Sequence, residues 1–348
     1  MKLEKRTEEM GAPAVVVILV VWNGVEDTLE CLRSLREERY PNKQILIVDN
    51  ASSDGSSERI LAEGFEVCIL RLEKNLGFTG GNNVGLFHAQ SLGVKYAFLL
   101  NNDTTLEPDA LARLVEAAER NGDAGMLAPV MHYYDRPDEV WFAGASLSLT
   151  RAEALHAAPS SLSGDIGVDS QDSNTIPQRK QDTGVYPSPW VSGCAMLVRM
   201  TAFGQVGGFD ERFYLTWEDV DWCVRMHQQG WRVLVVPAAR IYHKGGRSGS
   251  RLTGVHRYYA VRNSLLLASK HAGVGYVPAL FWVSVRHLRG AMGSEPGERV
   301  ASLLTVMEGL WDHFKGCYGI RRKGGQAPDV ETRRETKQEI NHPEVAGV

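Results

Sequence analysis

At 348 residues the chain is long enough for one large domain with an appendage, or for two domains. Its 43% hydrophobic and 23% charged residues are those of an ordinary folded protein, and a formal charge of −4 argues against a chain-wide nucleic-acid binder. The cysteines Cys31, Cys68, Cys194, Cys223 and Cys317 are scattered without a C-x-x-C pair, which suits a reducing compartment and offers no zinc site.

The opening "MKLEKRTEEMGAP" is charged and lacks a secretory core, so residues 1–12 are expected to be a flexible N-terminus and the protein cytoplasmic. "AVVVILVVWN" (14–23) and "QILIVDN" (44–50) read as buried parallel strands, the first too short to cross a bilayer. Between them "VEDTLECLRSLREE" places Leu29, Leu32 and Leu35 on one helical face. A strand at 65–72, a helix from about Gly80 to Ser91 and a strand "KYAFLL" (95–100) follow. "EPDALARLVEAAER" has Pro108 at an early helical position, and "AGMLAPVMHY" (124–133) is another strand. This alternation predicts a Rossmann-like α/β/α sandwich with a mostly parallel central sheet and right-handed crossovers.

The pattern then changes. "VWFAGASLSL" (140–149) reads as one strand, while 152–189, rich in Ser, Asp, Gln, Pro and Gly, reads as a variable loop or flap. "WVSGCAMLVR" (190–199) is a predicted strand, "EDVDWCVRMHQQG" (218–230) a helix stopped by glycine, and "WRVLVVP" a short strand. The expected organisation is a catalytic domain over 13–250, a helical appendage over 251–320 and a disordered tail over 321–348.

No P-loop, no G-x-G-x-x-G and no G-x-S-x-G elbow is present. What remains is a row of polar residues at successive strand ends: Trp22 and Asn23, Asp49 and Asn50, Asn75, and Asn101 to Asp103. One such residue is an ordinary turn former, but four sets along one sheet edge describe a cleft for a polar ligand. Gly77, Gly80, Gly81 and Gly85 lie where a helix begins, so backbone N–H groups could approach a ligand, or simply make a turn.

Carboxylates meet phosphate oxygens through a divalent cation, which makes Asp103 a candidate metal ligand. His243 is a candidate partner, and Lys244, Arg247 and Arg251 follow it in a glycine-rich basic stretch suited to a pyrophosphate. Imidazole with carboxylate suits manganese somewhat better than magnesium. In "YLTWEDVDWCVR" Glu218 and Asp219 precede a helix whose positive end favours an ionised carboxylate; Asp219 reads as a general base, or the acids only cap the helix.

The order of these pieces resembles glycosyltransferase family 2, the inverting family with the GT-A fold. The resemblance runs from about Val15 to Leu267 and rests on "VVWNG", "ILIVDNASSDGS", "NLGFTGGNNVGL", "LLNNDTTLEPDAL", "VSGCAMLVR…GGFDERFYLTWEDVDWCVR" and "YHKGG…RYYAVRNSLLL". Bacterial rhamnosyltransferase-like members are the most similar in text. The resemblance implies a nucleotide-diphosphate sugar donor, with dTDP-L-rhamnose the best guess, and a glycan or lipid-linked saccharide acceptor in cell-wall or other cell-surface polysaccharide assembly. It implies Mg²⁺ or Mn²⁺ on Asp103, the surviving acid of the D-x-D motif (Asn101 holds the first acidic position), and on His243. It further implies donor contacts at Trp22, Asn23, Asp49, Asn75, Gly81, Asn82, Asn102 and Asp103. Lys244 and Arg247 would face the pyrophosphate, and Trp190, Gly193, Trp217 and Glu218 the acceptor. Asp219 would be the catalytic base. The competing readings are a catalytically silent nucleotide-sugar-binding protein of the same fold and a sugar nucleotidyltransferase, which normally carries a basic loop after the first strand that "VVWNGVED" lacks.

At the carboxyl end Val300, Leu303, Leu304, Met307, Leu310, Trp311 and Phe314 fall at helical spacing, preceded by "YVPALFWVSVRHLR". Arg286, Arg289, Lys315, Arg321, Arg322 and Lys323 end the two segments. These faces are expected to pack on the catalytic domain or a second subunit. The alternative is peripheral contact with the inner face of the cell membrane.

Overall fold

Strand β1 (Val15–Val21) is an unbroken aliphatic run, six of its seven residues buried, and the sheet is assembled around it. It pairs in parallel with β2 (Lys43–Asp49) on one side and β4 (Tyr96–Leu100) on the other, and β2 pairs in parallel with β3 (Val67–Arg71). The computed structural model describes residues 11–156, 184–245 and 254–321, with the backbone of 345–346. Helix α1 (Val25–Glu37) buries Leu29, Leu32 and Leu35, as their spacing predicts. Helix α2 (Ser56–Ala62) links β2 to β3. Helix α3 (Gly77–Ser91) lies so close to β1 that a Cβ at Gly81 would sit 2.7 Å from Val20 and one at Gly85 2.5 Å from Ile18. These two glycines therefore serve helix-on-sheet packing.

Beyond β4 the sheet becomes mixed. β11 (Ala195–Arg199) runs antiparallel between β4 and β6 (Ala124–Tyr133), and β12 (Arg232–His243) pairs in parallel with β6. Short strands β5 (Thr104–Leu106) and β10 (Tyr186–Pro187) add antiparallel to β12, and β7 (Val140–Phe142) adds to β6. β8 (Ala145–Ser148) and β9 (Glu153–His156) form a separate hairpin. Helices α4 (Ala110–Arg120), α5 (Met200–Val206) and α6 (Glu218–Gln228) complete the layers.

Several boundaries differ from the sequence expectation, each for a local reason. The helix expected from Gly80 begins at Gly77, whose φ of +74° makes the entry turn. Pro108 precedes α4 instead of lying in its first turn, because β5 uses the residues before it. The single strand expected over 140–149 is broken at Gly144, φ +103°, into β7 and β8. Within the expected flap, 152–156 and 184–189 are ordered by the β8–β9 hairpin and by β10, and 157–183 lie outside the described residues. β12 does not stop at Pro237: a register shift between Val236 and Arg240 absorbs the proline and the strand resumes to His243. In the expected tail, Val345–Ala346 pairs antiparallel with β3, and the rest after Arg321 lies outside the described residues.

The carboxyl-terminal helices are α7 (Gly254–His271), α8 (Tyr276–Met292) and α9 (Arg299–Lys315). Leu266 and Leu267 of α7 join the main core, while Val261, Leu265, Ala279, Val283, Ala291 and Val306 form a second core among the three helices. Among the described residues no helix is long and apolar enough to cross a membrane.

Candidate active site

The carboxyl ends of β1 and β4 open onto a cleft of about 350 Å³ lined by residues that include Trp22, Asn23, Asp27, Phe78, Asn82, Asn101, Asn102 and Asp103. Its walls are fixed by hydrogen bonds between adjacent loops. The Asn23 N–H donates to Ser52 Oγ (2.9 Å), the Ser53 N–H to Asn23 Oδ1 (3.0 Å) and the Gly24 N–H to Asp54 (3.0 Å). Asn50 spans two loops, donating to Asn75 Oδ1 and Gly77 O (both 3.0 Å) and accepting from the Leu76 N–H (2.8 Å). Trp22, 61% exposed at the lip, leaves an open aromatic face of the kind that stacks on a flat ring.

β12 brings a histidine to this edge from far along the chain. His243 faces Thr104 in the β12–β5 ladder, and the Lys244 N–H donates to Asp103 O at 3.0 Å. This lacing sets His243 Nε2 3.3 Å from Asp103 Oδ1. Asp103 Oδ1 is nevertheless buried without a hydrogen-bond partner, as is His243 Nδ1. An unsatisfied carboxylate oxygen beside an imidazole nitrogen is a donor set that fits a divalent cation. Among the described residues no cluster of three such ligands exists, so a cation here would rely on water and phosphate oxygens for its remaining ligands. The turn after His243 demands glycine, since a Cβ at Gly245 would fall 2.0 Å from the imidazole.

The acids of "WEDVD" separate into three environments. Glu218 is buried, its Oε2 has no hydrogen-bond partner, and burial followed by the neighbouring Asp219 charge pushes its carboxyl well above the usual range. Asp219 is also raised by burial, opposed by N–H donors from Gly193 (3.1 Å to Oδ2) and Val220 (2.8 Å to Oδ1). A Cβ at Gly193 would lie 3.0 Å from Phe78 and 3.6 Å from the Asp219 Cβ, so Asp219 stands beside the cleft wall that Phe78 forms. Asp221 is fully buried and binds His271 (2.8 Å), Lys270 (2.6 Å) and Arg225 (2.8 Å), tying α6 to α7. β11 starts where β4 ends, with the Asn101 N–H donating to Cys194 O at 2.8 Å. The Asp103 and Asp219 carboxylates both act on the buried Cys194 thiol, after burial itself, to keep it neutral.

The segment before Asp219 is held by residues that sequence reasoning did not single out. Tyr214, Thr216 and Trp217 have φ of +63°, +64° and +72°. Asn263 Nδ2 donates to the carbonyls of Phe213, Leu215 and Thr216 at 2.8–2.9 Å. Arg262, also fully buried, donates to Arg212 O, Phe213 O and Gly319 O, and its Nε fixes the Asn263 amide through Oδ1. The remaining carbonyl, of Tyr214, accepts from the Phe78 N–H at the start of α3. Both clamp residues lie in "YYAVRN", visible beforehand as a motif but not as a support for this loop.

His156 is a second residue that the sequence left unmarked. The β8–β9 hairpin sets its ring 5.0 Å from Trp141, 5.1 Å from Phe142 and 5.5 Å from Trp190, and Trp141 packs at 4.5 Å on His243. An aromatic wall thus runs from His243 toward Trp190, whose indole N–H is committed to Ser146 O.

Of the expected donor contacts, Trp22, Asn23, Asn82, Asn102 and Asp103 line the cleft. The others do not. Asp49 is engaged by the Ser52 N–H and the Ser57 hydroxyl, Asn75 by Asn50 and the Gly77 N–H, and Gly81 faces Val20. Asp49 and Asn75 shape the loops that form the cleft, and Gly81 seats α3 on the sheet. Lys244 is not brought to the cleft as a free cation, because its ammonium pairs with Asp27 (2.7 Å) and Glu30 (2.5 Å) of α1. Arg247 lies outside the described residues. Gly193, Trp217 and Glu218 gather around Asp219, with Trp217 half-buried against the core.

A mixed sheet with ligand-type residues at the ends of its parallel strands, a carboxylate–imidazole pair and a helix-start carboxylate define a GT-A glycosyltransferase fold. The family model for Glycosyl transferase family 2 matches residues 16–206, more than half of the chain, and the protein belongs to that family. Over 257 residues the chain is 28% identical to an N-acetylglucosaminyl-diphospho-decaprenol L-rhamnosyltransferase of Mycobacterium tuberculosis, covering 71% of this chain and 80% of that protein. It is 22% identical over 283 residues to a dTDP-rhamnosyl transferase of Shigella flexneri, covering 79% and 84%. Among solved structures it is similar in fold to GalNAc-T7 with UDP, GalNAc and Mn²⁺ (TM-score 0.59, 14% identity, 96% of this chain but 59% of that one). A second is the mannosyltransferase of Pyrobaculum calidifontis with GDP-Man and Mn²⁺ (TM-score 0.53, 15% identity, 98% and 86%). The chain is a glycosyltransferase whose relatives are similar to it over most of its length.

Two outcomes follow from the loop and its acids. Asn263→Ala should lower stability by about 1–3 kcal/mol, the cost of orphaned buried carbonyls. It should also lower transfer per folded molecule roughly tenfold or more while nucleotide affinity holds, because the cleft lies elsewhere; parallel denaturation, calorimetry and rate measurements check this. For Glu218, a folded-state value raised above the unfolded one means that stability is complete below the usual carboxylate range and falls as pH rises through the raised value. Glu218→Gln removes that loss, so scanning calorimetry from about pH 5 to about pH 9 should show the variant overtaking the wild type as pH rises.

Proposed function

We propose that the protein is an inverting, metal-dependent glycosyltransferase that moves L-rhamnose from dTDP-L-rhamnose to a hydroxyl of a lipid-linked glycan in cell-surface polysaccharide assembly. The observation that carries this reading is the convergence of an unsatisfied Asp103–His243 pair and the cleft-side carboxylate Asp219 at one sheet edge. The names of the two rhamnosyltransferases support the donor, and the diphospho-decaprenol in the name of the first supports a lipid-linked acceptor.

In this mechanism Trp22, Asn23 and Asn102 hold the nucleoside end of the donor in the cleft. Asp103 and His243 would hold Mg²⁺ or Mn²⁺, which when bound supplies positive charge to the leaving diphosphate. Asp219 accepts the proton of the acceptor hydroxyl as that oxygen bonds to the anomeric carbon. The bond from that carbon to the diphosphate oxygen breaks on the opposite face, and one displacement inverts the configuration. The Gly193 and Val220 N–H groups aim the carboxylate, and burial raises its proton affinity, which favours a base. Burial and the Asp219 charge both favour the protonated form of Glu218, which limits negative charge beside the base.

The test is transfer from dTDP-L-rhamnose to a polyprenyl-diphosphate saccharide, with product configuration read by NMR. Activity should require Mn²⁺ or Mg²⁺ and vanish with chelator, and the product should be inverted. Asp103→Ala should weaken Mn²⁺-dependent donor binding roughly tenfold or more by calorimetry. Retained configuration, or unchanged affinity in that variant, would contradict the assignments, and pyrophosphate release from a nucleoside triphosphate would indicate a nucleotidyltransferase instead.

A further inference from the structure

Helices α8 and α9 bury one face each and leave the opposite face apolar. On α9 the buried positions are Thr305, Val306, Gly309 and His313. Val300, Leu304, Met307, Trp311 and Phe314 point away from them at 55–69% exposure. Their spacing of i, i+4, i+7, i+11 and i+14 keeps them on one stripe. On α8, Ala279, Val283 and Ala291 face inward, whereas Val277 (71%), Phe281 (60%) and Met292 (55%) face outward with Trp282 at their edge. A soluble monomer rarely leaves so many large side chains uncovered on adjoining helices.

Cations border these outward arcs. At 100° per residue Arg289 on α8 and Lys315 on α9, both exposed, lie at the edges of the stripes, and the exposed Glu295 and Glu298 lie between the two helices. The acids of α9 lie off the stripe: Glu308 pairs with Arg321, and Asp312 accepts from the Tyr258 hydroxyl. Lys315 Nζ sits 4.9 Å over the Trp311 ring, its stem along the indole and its ammonium at the surface. Arg286, on the flank, is turned the other way, donating to Ala152 O and pairing with Glu153 of the β8–β9 hairpin. That hairpin carries His156, so the bundle adjoins the aromatic wall of the active site.

We infer that the outward face of α8 and α9 lies on an anionic lipid surface, with Phe281, Trp282, Trp311 and Phe314 in the headgroup region and Arg289 and Lys315 on the lipid phosphates. Aromatic and aliphatic side chains bordered by Arg289 and Lys315 match an anionic interface. The inference deepens the reading of a lipid-linked acceptor and rests on it for its purpose, since a surface-bound enzyme meets such an acceptor where it is held.

Vesicle sedimentation of the full chain, without donor or acceptor, tests the inference separately from the activity. The protein should pellet with phosphatidylglycerol-containing vesicles and much less with phosphatidylcholine alone. Trp311→Ser with Phe314→Ser should lower that partitioning roughly tenfold or more while leaving the melting temperature and transfer to a short, lipid-free acceptor unchanged. Leu304→Gln with Met307→Gln, on the same stripe, should act alike, and Arg289→Gln with Lys315→Gln should erase the preference for anionic lipid. Wild-type protein that stays in the supernatant with both vesicles overturns the inference. So does a concentration-dependent dimer that the aromatic double variant dissolves while vesicle binding is absent. Binding to vesicles by a protein that transfers no rhamnose would leave the inference standing and fail the proposed donor alone.

Discussion

Three departures into left-handed backbone within four residues, at Tyr214, Thr216 and Trp217, set the position of the acidic helix start, and the clamp from α7 makes them tolerable. Each such residue costs roughly 1–2 kcal/mol. Asn263, whose two amide protons are shared among three carbonyls, returns about 2 kcal/mol, and the Arg262 guanidinium about 1.5–3 at each of its own. The terms are of similar size, so the loop is stable only while the clamp is whole. Because Arg262 also holds Gly319 O just beyond α9, the helical appendage is built into the site. The catalytic domain and the carboxyl-terminal helices share one set of buried hydrogen bonds.

The same few residues show how environment divides identical chemistry. Glu218, Asp219 and Asp221 share one helical turn, yet one is buried with an unpartnered oxygen, one meets two N–H groups beside the cleft, and one is bound by Arg225, Lys270 and His271. Burial alone would raise Asp221, and its His271, Arg225 and Lys270 partners more than reverse that. Asp219 alone combines access with a raised proton affinity. At the other side of the cleft, Asp103 and His243 meet only because β12 resumes after Pro237 and laces onto β5.

The parallel strands were legible because β1, β2, β4 and β6 are continuous apolar runs, a signal that needs no partner to be read. The continuation of β12 was not, since a proline normally ends a strand and the bulge that rescues it depends on β6. Asp103, Asp219 and His243 could be named from motif order, yet Lys244 could not be placed: its partners Asp27 and Glu30 come from α1, at the other end of the chain. His156 carries no local signal, and the clamp pair shows only as the motif "YYAVRN", which does not tell what it supports. Their roles arise from a hairpin and a helix packing against loops distant in sequence. The apolar spacing of α9 read correctly as amphipathic, but spacing does not tell which side each residue faces: Leu303 and Leu310 pack inward, whereas Val300, Leu304, Met307, Trp311 and Phe314 face out.

The most direct measurement concerns Asp219. Asn is nearly isosteric and keeps an oxygen for the Gly193 and Val220 N–H groups, so Asp219→Asn should retain the melting temperature and donor affinity of the wild type. A positioned base contributes roughly 10²–10⁴-fold to rate, and transfer should fall by that factor on the same folded, donor-binding sample. A stable variant that binds donor and transfers sugar at close to the wild-type rate would contradict the assignment of Asp219 as the base.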